Sequence, residues 1–534
     1  MTIPRPRLLL LLAAVAVTAG ACAKDASPPP APTAPFPSPT ALGYEVRVEG
    51  APCSFDLPSG QDEADVRCGY VAVPEGRSDE SSRTIRLAFA VLRSTAPAPG
   101  APLLVLDGGP GGSTLQGILP AWFTADFAAP LQSAHDLVFF DYRGTGLSEA
   151  DMSCPELDAL SASGDYGAGS PTEEDERAAE EALFTCRDRI VANGAQLDAY
   201  NSAAIAADAA DVMKALGYDD YSVYGVSYGT RVALTMLRDR VAGIRSIVLD
   251  SAYPPQVDLY ASTALNQQEA LERVLAACDA QAACAEAYPQ LEETLLGAVQ
   301  RLDEDPVTLE ARDAHSGKLR PIQVDGVVLL SALIGSISSS RSLERIPELI
   351  HAISNARYGG LTPLFDAQYG GADGPRGAVP MRTSVLCSEE MPFASAEAVL
   401  AASAQLWPEV REARTFGITD EDTLQEEKDF CSRWGASPRP DIEARAVAGD
   451  TPALILAGAF DPATPPEWGR IAGSTLAASM FVEVQGLGHG LLFQRESDCP
   501  MRIVAAFLED AAAVDVSCAS SGAPAFTLPR SDDP

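Results

Sequence analysis

The stretch VYGVSYGT, residues 223–230, is the most informative segment of this 534-residue chain. Its centre fits the pattern G-x-S-x-G, with Ser227 between Gly225 and Gly229. The apolar run DYSVYGV precedes the serine, and the amphipathic run TRVALTMLRDRV follows it. A strand, a sharp turn and a helix around a serine form a nucleophile elbow, which exposes the hydroxyl at one edge of a sheet. This context predicts a catalytic Ser227, whereas the five-residue pattern alone could be a chance match.

Short apolar runs alternate with helical stretches along the rest of the chain. Continuous apolar runs that end in glycine-containing turns are typical of parallel strands buried on both faces. We therefore expect an α/β architecture with an eight-stranded, mostly parallel sheet. The eight runs are CGYVAVP, TIRLAFAVLRS, PLLVLDGG, DLVFFDYRG, YSVYGVS, IRSIVLDSA, PALILAGAFD and FVEVQGLGH.

The spacing of these runs divides the chain. Residues 43–250 and 451–518 form the two parts of the predicted core. Residues 251–450 carry helical stretches and the equivocal run VDGVVLLSALIG. We interpret them as a large helical cap inserted at the carboxyl edge of the sheet. Residues 519–534 are expected to form a loose tail.

A serine nucleophile needs a base and an acid that orients the base. His489 lies in a glycine-flanked loop after the last predicted strand, and Asp461 ends the strand before it. Ser227, Asp461 and His489 all follow strand ends, so all three are expected to reach the same edge of the sheet. The other histidines are interpreted as structural: His135, His315 and His351.

An oxyanion hole is expected beside the serine. The elbow puts the Tyr228 N–H at the start of a helix, where it can donate to a developing oxyanion. The loop DGGPGGS, residues 107–113, follows an early strand, and the N–H groups of Gly108 and Gly109 would face Ser227. The alternative for this loop is an ordinary flexible turn.

The N-terminus predicts export. Arg5 and Arg7 precede an apolar run that is too short to span a bilayer, so residues 1–22 are interpreted as a signal peptide. Cys22 ends a segment similar to a bacterial lipobox, although Ala19 stands where leucine is usual. We expect lipidation of Cys22, with ordinary cleavage as the alternative. Residues 23–42 are rich in proline and indicate a disordered linker.

Composition excludes some classes of partner. A formal net charge of −36 argues against nucleic acid, because phosphate binding requires a basic face. Ten cysteines besides Cys22 fall into five sequential couples, which in an exported chain predict disulfides, with nearest-neighbour pairing the simplest expectation. No metal site is expected, since close Cys-x-x-Cys pairs are absent from the sequence. The couples are Cys53 and Cys68, Cys154 and Cys186, Cys278 and Cys284, Cys387 and Cys431, and Cys499 and Cys518.

Together the motifs GGPGG, DYRGTGLS, GVSYG, GAFDPATPP and GLGHG resemble the proline iminopeptidase and tripeptidyl aminopeptidase group of the α/β-hydrolases. The resemblance is best to secreted actinobacterial-type members and mycobacterial lipoprotein serine proteases, and covers about residues 65–250 and 450–510. It implies an α/β-hydrolase fold and a cofactor-free serine peptidase that acts near free N-termini of peptides. It makes Ser227 the nucleophile, Asp461 the acid and His489 the base, with Gly109 and Tyr228 in the oxyanion hole.

The chain departs from the iminopeptidases at Asp107, where they carry histidine. An unpaired carboxylate there would oppose an oxyanion, so we expect Asp107 to pair with Arg143, which follows a neighbouring predicted strand. Aminopeptidases of this group also resemble one another in that acidic residues of the cap hold the substrate ammonium. Glu389 and Glu390 lie in the corresponding segment, with a solvated acidic pair as the alternative.

Two other functions stay open from the sequence. An exported esterase or lipase would use the same triad, because fold does not fix the substrate. A non-catalytic peptide-binding lipoprotein is the alternative from another class, although a binding module has no need of all three triad residues. The oligomeric state and the membrane that would hold the anchor are not encoded in any motif.

Overall fold

The computed structural model describes residues 46–79, 81–162, 172–312, 319–369 and 378–529. The predicted signal peptide with Cys22, the linker at 23–42 and His315 lie outside these residues. The described residues all belong to one unit defined by their contacts, Pro37–Pro534.

The described residues contain one large sheet of nine strands and a separate two-stranded hairpin. All eight predicted strands are present. The ninth strand of the sheet, β1, was missed because its sequence RVEG is short, polar and mostly exposed. The strands are β1 Arg47–Gly50, β2 Val66–Pro74, β3 Thr84–Leu92, β4 Leu103–Leu106, β5 Leu137–Phe140, β6 Tyr221–Val226, β7 Ile244–Asp250, β8 Val307–Arg312, β9 Leu319–Val324, β10 Ala453–Gly458 and β11 Ser479–Val484.

The order in the large sheet is β1-β2-β3-β5-β4-β6-β7-β10-β11. From β5 to β11 all neighbours are parallel, while β1, β2 and β3 make an antiparallel edge. Parallel strands end at the same edge of a sheet. The loops after β4, β6, β10 and β11 therefore meet at one place, as a site assembled from strand ends requires.

Side chains of the central strands alternate between two apolar layers. In β4, Leu104 and Leu106 join one buried cluster, and Leu103 and Val105 join the other. This period of two explains why the strand sequences are continuously apolar, because both faces are covered.

Six helices lie in the first part of the core. Asn201 caps the start of α5 by accepting from the Ala204 N–H, and Gly217 ends it with a left-handed backbone. These helices are α1 Leu119–Trp122, α2 Ala125–Gln132, α3 Pro155–Ala162, α4 Glu173–Ala192, α5 Ser202–Leu216 and α6 Tyr228–Arg238.

The segment between β7 and β10 is a helical insertion with its own buried cluster. β7 and β10 pair directly, with Ile247 opposite Ala453, so the chain leaves the sheet and returns beside the same strand. The equivocal run VDGVVLLSALIG is helical, and the β8–β9 hairpin was not expected. The helices are α7 Leu259–Asp279, α8 Ala282–Ala287, α9 Leu291–Glu304, α10 Gly326–Ile337, α11 Ser340–Leu343, α12 Ile346–Ser354, α13 Thr362–Tyr369, α14 Val379–Val385, α15 Ala396–Ser403, α16 Pro408–Arg411 and α17 Glu421–Trp434.

Two helices complete the core, α18 Pro466–Gly473 and α19 Cys499–Glu509. None of the described helices is both long and apolar enough to cross a membrane. Short single turns lie at Glu63–Asp65, Thr114–Ile118, Leu197–Ala199, Leu386–Glu390, Met391–Phe393, Arg414–Phe416, Asp441–Ala444, Leu491–Phe493 and Ser517–Ser520.

The ten cysteines pair as sequential neighbours, in five disulfides that match the expected couples. The expectation of a loose tail was wrong for its described part, residues 519–529. Phe526 is buried in the cap cluster, and the Thr527 N–H donates to Glu344 O at 2.9 Å. These contacts fix the described part of the tail against the cap.

Candidate active site

The turn between β6 and α6 holds Ser227 in a strained conformation. β6 ends at Val226 and α6 begins at Tyr228, so Ser227 alone makes the turn. Its φ of 54° lies in the left-handed region that residues other than glycine seldom adopt. Such strain is concentrated at functional sites. The backbone therefore has the form of a nucleophile elbow.

Gly225 and Gly229 are required by the close crossing of the strand and the helix. A Cβ atom on Gly225 would lie 2.6 Å from Gly229 O. A Cβ atom on Gly229 would lie 2.2 Å from Leu106 O, on the neighbouring strand. Neither site can hold a side chain without moving backbone, which accounts for both glycines of the motif.

The candidate acid and base are in direct contact. Asp461 follows β10 and His489 follows β11, and His489 Nδ1 lies 2.8 Å from Asp461 Oδ2 and 3.0 Å from Oδ1. Asp461 is fully buried, while the His489 side chain keeps 23% of its surface exposed. A buried carboxylate behind a partly open imidazole can orient the ring without reaching the substrate.

Thr464 is a further residue of this site that the sequence reasoning missed. Its hydroxyl donates to Asp461 Oδ2 at 2.8 Å, and its N–H and that of Ala463 donate to Oδ1 at 2.9 and 2.8 Å. The run DPAT is typical of a turn closed by an aspartate side chain, so this capping could have been anticipated. These bonds fix the carboxylate that faces His489.

Asp461 and His489 each shift the pKa of the other in the direction that favours its charged form. Burial raises the pKa of Asp461, but the His489 ring and the hydrogen bonds from Thr464 outweigh burial and hold this pKa below its ordinary value. Burial lowers the pKa of His489, but Asp461 outweighs burial and raises it above the ordinary 6.5. A proton on Nδ1 facing Asp461 leaves Nε2 as the basic atom.

Asp250 ties the serine turn to the histidine loop. Its backbone carbonyl accepts from the Ser227 N–H at 2.9 Å. Its carboxylate accepts from the Leu491 N–H at 2.8 Å and the Leu492 N–H at 2.9 Å. Asp250 thus holds the chain just beyond His489 close to the elbow, a role the sequence did not reveal.

Within the described residues, Ser227 Oγ forms no hydrogen bond with His489. The bond between a nucleophile and its base is often long in the absence of substrate and shortens in the Michaelis complex. The shared anchor at Asp250 and the approach of the Gly490 backbone to Val226 still place the two loops side by side. A Cβ atom on Gly490 would lie 3.7 Å from Val226 Cγ2.

The glycine loop after β4 also reaches the elbow. A Cβ atom on Gly108 would lie 3.1 Å from Ser227 Cβ. The Gly108 N–H donates to Asp107 Oδ1 at 2.6 Å, so its hydrogen is already engaged. Gly109 follows with a φ of 117°, a conformation that glycine allows. The next N–H on the loop is therefore that of Gly109.

Comparison with known proteins agrees with this geometry. Residues 101–294 match the alpha/beta hydrolase fold family, and residues 418–518 match the TAP-like protein family. The protein has the α/β-hydrolase fold. Serine protease Hip1 of Mycobacterium tuberculosis is 25% identical over 86% of this chain and 88% of its own.

Two further similarities extend the comparison. Tripeptidyl aminopeptidase of Streptomyces coelicolor is 34% identical over 39% of each chain. The crystal structure of proline iminopeptidase from Mycobacterium smegmatis is 15% identical, covering 83% of this chain and all of that one, with a TM-score of 0.35. The predicted resemblance to α/β-hydrolase aminopeptidases is confirmed, and this α/β-hydrolase is a hydrolytic enzyme.

The expected ion pair between Asp107 and Arg143 does not form. The Arg143 guanidinium is fully buried and binds Asp208 instead, through Nε and Nη2 at 2.7 Å each. Its Nη1 donates to Glu75 O at 2.6 Å and Ala199 O at 2.8 Å. The prediction was wrong because neighbouring strand ends do not fix the direction of a side chain, and α5 supplies a nearer carboxylate.

Asp107 is instead partly buried, and the charge of a second carboxylate, Asp141, acts on its carboxyl. Burial is the main reason that its pKa rises to about 7; the Gly108 N–H opposes the rise and the charge of Asp141 adds to it. The described residues offer Asp107 no salt bridge. At neutral pH the carboxyl is therefore close to half protonated.

Glu389 and Glu390 are buried, not solvated. Arg231 binds both carboxylates, with Nε 3.2 Å from Glu389 Oε2 and Nη1 2.8 Å from Glu390 Oε1. Glu389 also accepts from the backbone N–H of Ser202 and, at 2.6 Å, from its hydroxyl. The alternative of a solvated acidic pair was therefore wrong, and the two carboxylates share one guanidinium.

The remaining candidates lie elsewhere. His135 Nδ1 is 2.7 Å from Ala101 O, and the His351 ring packs 5.6 Å from that of Tyr288. Among the described residues, one group resembles a metal site, Cys154, Glu156 and Cys186. Its two sulfur atoms form a disulfide, so neither is available as a thiolate ligand.

Proposed function

We propose that this α/β-hydrolase is an exported serine peptidase that cleaves peptide bonds near free N-termini through an acyl-enzyme. The observation that carries the proposal is the arrangement of Ser227 on a strained elbow with the His489–Asp461 pair after β10 and β11, at the same edge of the sheet. The relatives named serine protease Hip1 and tripeptidyl aminopeptidase support peptides as the substrate class.

The proposed reaction proceeds in two acyl transfers. His489 Nε2 takes the proton of Ser227 as the hydroxyl oxygen attacks the peptide carbonyl. Asp461 holds the ring and stabilises its positive charge. His489 then protonates the leaving amine as the C–N bond breaks. Water, activated by the neutral His489, attacks the acyl-serine and releases the N-terminal fragment and the free hydroxyl.

The oxyanion of each tetrahedral intermediate would bind the N–H groups of Gly109 and Tyr228. Two features support this assignment: the Gly108 N–H is engaged by Asp107, and Tyr228 begins α6. Each donor of this kind contributes about 3 kcal/mol to transition-state stabilisation.

The proposal retains the cap segment of Glu389 and Glu390 as the part that attracts the substrate ammonium, with Glu390 as the residue that binds it. The pair brings two carboxylates to one guanidinium, and burial, only partly offset by Arg231, raises the pKa of Glu390 to about 7. A cation arriving near this pair would lower the cost of its excess negative charge. Glu389 is the more enclosed of the two, so Glu390 is the one we assign to the ammonium.

Three matched substrates test the proposal. A tripeptide anilide with a free N-terminus should be cleaved with kcat/KM at least about tenfold above its N-acetylated form, as one charge-assisted contact provides. Glu390→Gln should remove this preference, while the exposed Glu397→Gln should not. Equal rates on both anilides would contradict the N-terminal specificity. Cleavage of an acyl ester alone would indicate the esterase, and binding without turnover the peptide-binding lipoprotein.

Export and lipid anchoring belong to the same proposal. Five disulfides are typical of proteins that fold in an oxidising compartment. Metabolic labelling with an alkyne fatty acid should mark the full chain and should fail for Cys22→Ser. Equal labelling of both would place any lipid elsewhere.

A further inference from the structure

The side chain of Tyr228 links the elbow to a helix on the neighbouring part of the core. Tyr228 is fully buried, and its hydroxyl lies 2.8 Å from Ser202 Oγ, at the first residue of α5. Its own backbone N–H is the proposed oxyanion donor. The position of that N–H therefore depends on the contacts that the Tyr228 hydroxyl makes.

Glu389 holds Ser202 from the cap. One carboxylate oxygen accepts from the Ser202 N–H, and the other accepts from its hydroxyl at 2.6 Å. When Glu389 is ionised beside Arg231, its carboxylate only accepts, so the Ser202 hydroxyl donates to Glu389 and the Tyr228 hydroxyl donates to Ser202 Oγ. The chain of bonds has one direction, from Tyr228 through Ser202 to Glu389.

The charge on Glu389 is itself fixed in place. Arg231 lies on α6 together with Tyr228 and binds Glu389 Oε2 at 3.2 Å. The ring of Tyr228 packs edge-on against Tyr142, whose hydroxyl donates to Asp107 O at 2.8 Å, at the start of the glycine loop. The two halves of the oxyanion hole are thus joined beneath the site by these tyrosines.

The same cap segment, Ala378–Glu390, also contacts the glycine loop directly. The Ala378 N–H donates to Gly111 O at 2.7 Å. A Cβ atom on Gly111 would lie 2.9 Å from Ala378 O, so the two backbones touch. The Cys387–Cys431 disulfide ties this segment to α17 close to Glu389. The segment therefore braces both loops that carry proposed oxyanion donors.

We propose that Glu389 is a positioning residue for the oxyanion hole, acting through Ser202 and the Tyr228 hydroxyl on the Tyr228 backbone N–H. This inference rests on the proposed function and gives Glu389 a role separate from that of Glu390. The helical insertion then contributes to the rate of the chemical step and not only to the capture of substrate. An interaction that acts on the transition state lowers kcat when it is lost and leaves KM nearly unchanged.

Tyr228→Phe is the primary test, because it removes only the hydroxyl. We expect kcat on a free tripeptide anilide to fall about tenfold with KM within about twofold, part of the loss seen when a whole oxyanion donor is removed. The rate of Ser227 labelling by a fluorophosphonate should fall by a similar factor. Tyr221→Phe removes another buried hydroxyl, at the opposite end of β6, and should leave both rates unchanged.

A double-mutant cycle separates positioning from folding. Glu389→Gln and Ser202→Ala should each lower kcat, and each should have little further effect in the Tyr228→Phe background, because all three break one chain of bonds. If Glu389→Gln does not fold, Ser202→Ala supplies the cycle. A parental kcat in Tyr228→Phe would overturn the inference. So would losses in kcat that multiply when two of the substitutions are combined, or single substitutions that change only KM. Absence of fluorophosphonate labelling in the parent protein would instead overturn the proposed function.

Discussion

Asp107→Asn tests whether the Asp107 carboxyl must be protonated for the neighbouring oxyanion hole to stabilise an oxyanion. Asp107 immediately precedes the glycine loop, and the arginine expected to neutralise it binds Asp208. Groups that face it are Asp141 and Tyr142 after β5, Tyr224 on β6 and the Gly108 N–H. None of these is a cation, so a proton is the neutralising charge.

The pH window follows from the direction of the shift. Burial, with a smaller contribution from Asp141, raises the pKa of Asp107 to about 7, so the carboxyl is neutral below this pH and charged above it. At about pH 8 roughly nine-tenths of the molecules carry the charge, and at about pH 6 roughly one-tenth. If the form with charged Asp107 is inactive, the kcat/KM measured at about pH 8 should be about a tenth of the kcat/KM of the form with neutral Asp107. The second-order rate of labelling at Ser227 should fall by the same factor. Asparagine has no such titration, so the loss on the alkaline side should disappear.

The assay is the second-order rate of fluorophosphonate labelling between about pH 6 and about pH 9. This probe has no amine, so titration of a substrate N-terminus does not enter the profile. Asp126→Asn, which removes an exposed carboxylate on α2, is the matched control and should keep the alkaline fall. An alkaline fall of the same size in Asp107→Asn would show that Asp107 is not the titrating group, and a parental profile with no fall would show that its charge does not affect the rate.

Three other substitutions test the Thr464 hydrogen bond, the Arg143–Asp208 ion pair and the His489–Asp461 pair. Thr464→Val removes the hydroxyl that donates to Asp461, and we expect kcat to fall roughly ten- to hundredfold, since a hydrogen bond to a charged group contributes about 1.5–3 kcal/mol; parental kcat would contradict this role. Asp208→Asn leaves Arg143 without its charge partner and should lower the free energy of unfolding in urea by about 3–5 kcal/mol; a loss below about 1 kcal/mol would show that the pair is not stabilising. His489 must be neutral to act as base, so kcat/KM should fall as pH drops through a value above 6.5. In Asp461→Asn, the residual kcat/KM should show this fall on the acid side at a lower pH than in the parent protein. A fall at the parental pH would assign the titration to a group other than His489.

The sequence predicted the sheet well because its central strands are buried on both faces. Their continuous apolar runs stand out, and the three triad candidates follow the ends of β6, β10 and the last strand. β1 and the β8–β9 hairpin escaped because these strands are short and mostly exposed, so their sequences contain no continuous apolar run. The described tail escaped because composition does not encode the docking of Phe526 on the cap.

Side-chain partners were harder to predict than strand ends. Arg143 was expected to meet Asp107 because their strands are neighbours, yet it turns toward α5, where Asp208 lies. Glu389 was singled out by the family resemblance of its cap segment, but its partners Ser202 and Arg231 are far away along the chain. Pairing of this kind depends on the packing of helices across the sheet, which no local pattern encodes.

The central claim, that Ser227 is the nucleophile, is tested most directly by mass spectrometry of the fluorophosphonate-treated protein. We expect the parent chain to be labelled at Ser227, and we expect Ser227→Ala to keep the parental circular dichroism spectrum but to lose both labelling and cleavage of the free tripeptide anilide. Undiminished cleavage by Ser227→Ala, or labelling of the parent at another residue, would contradict it.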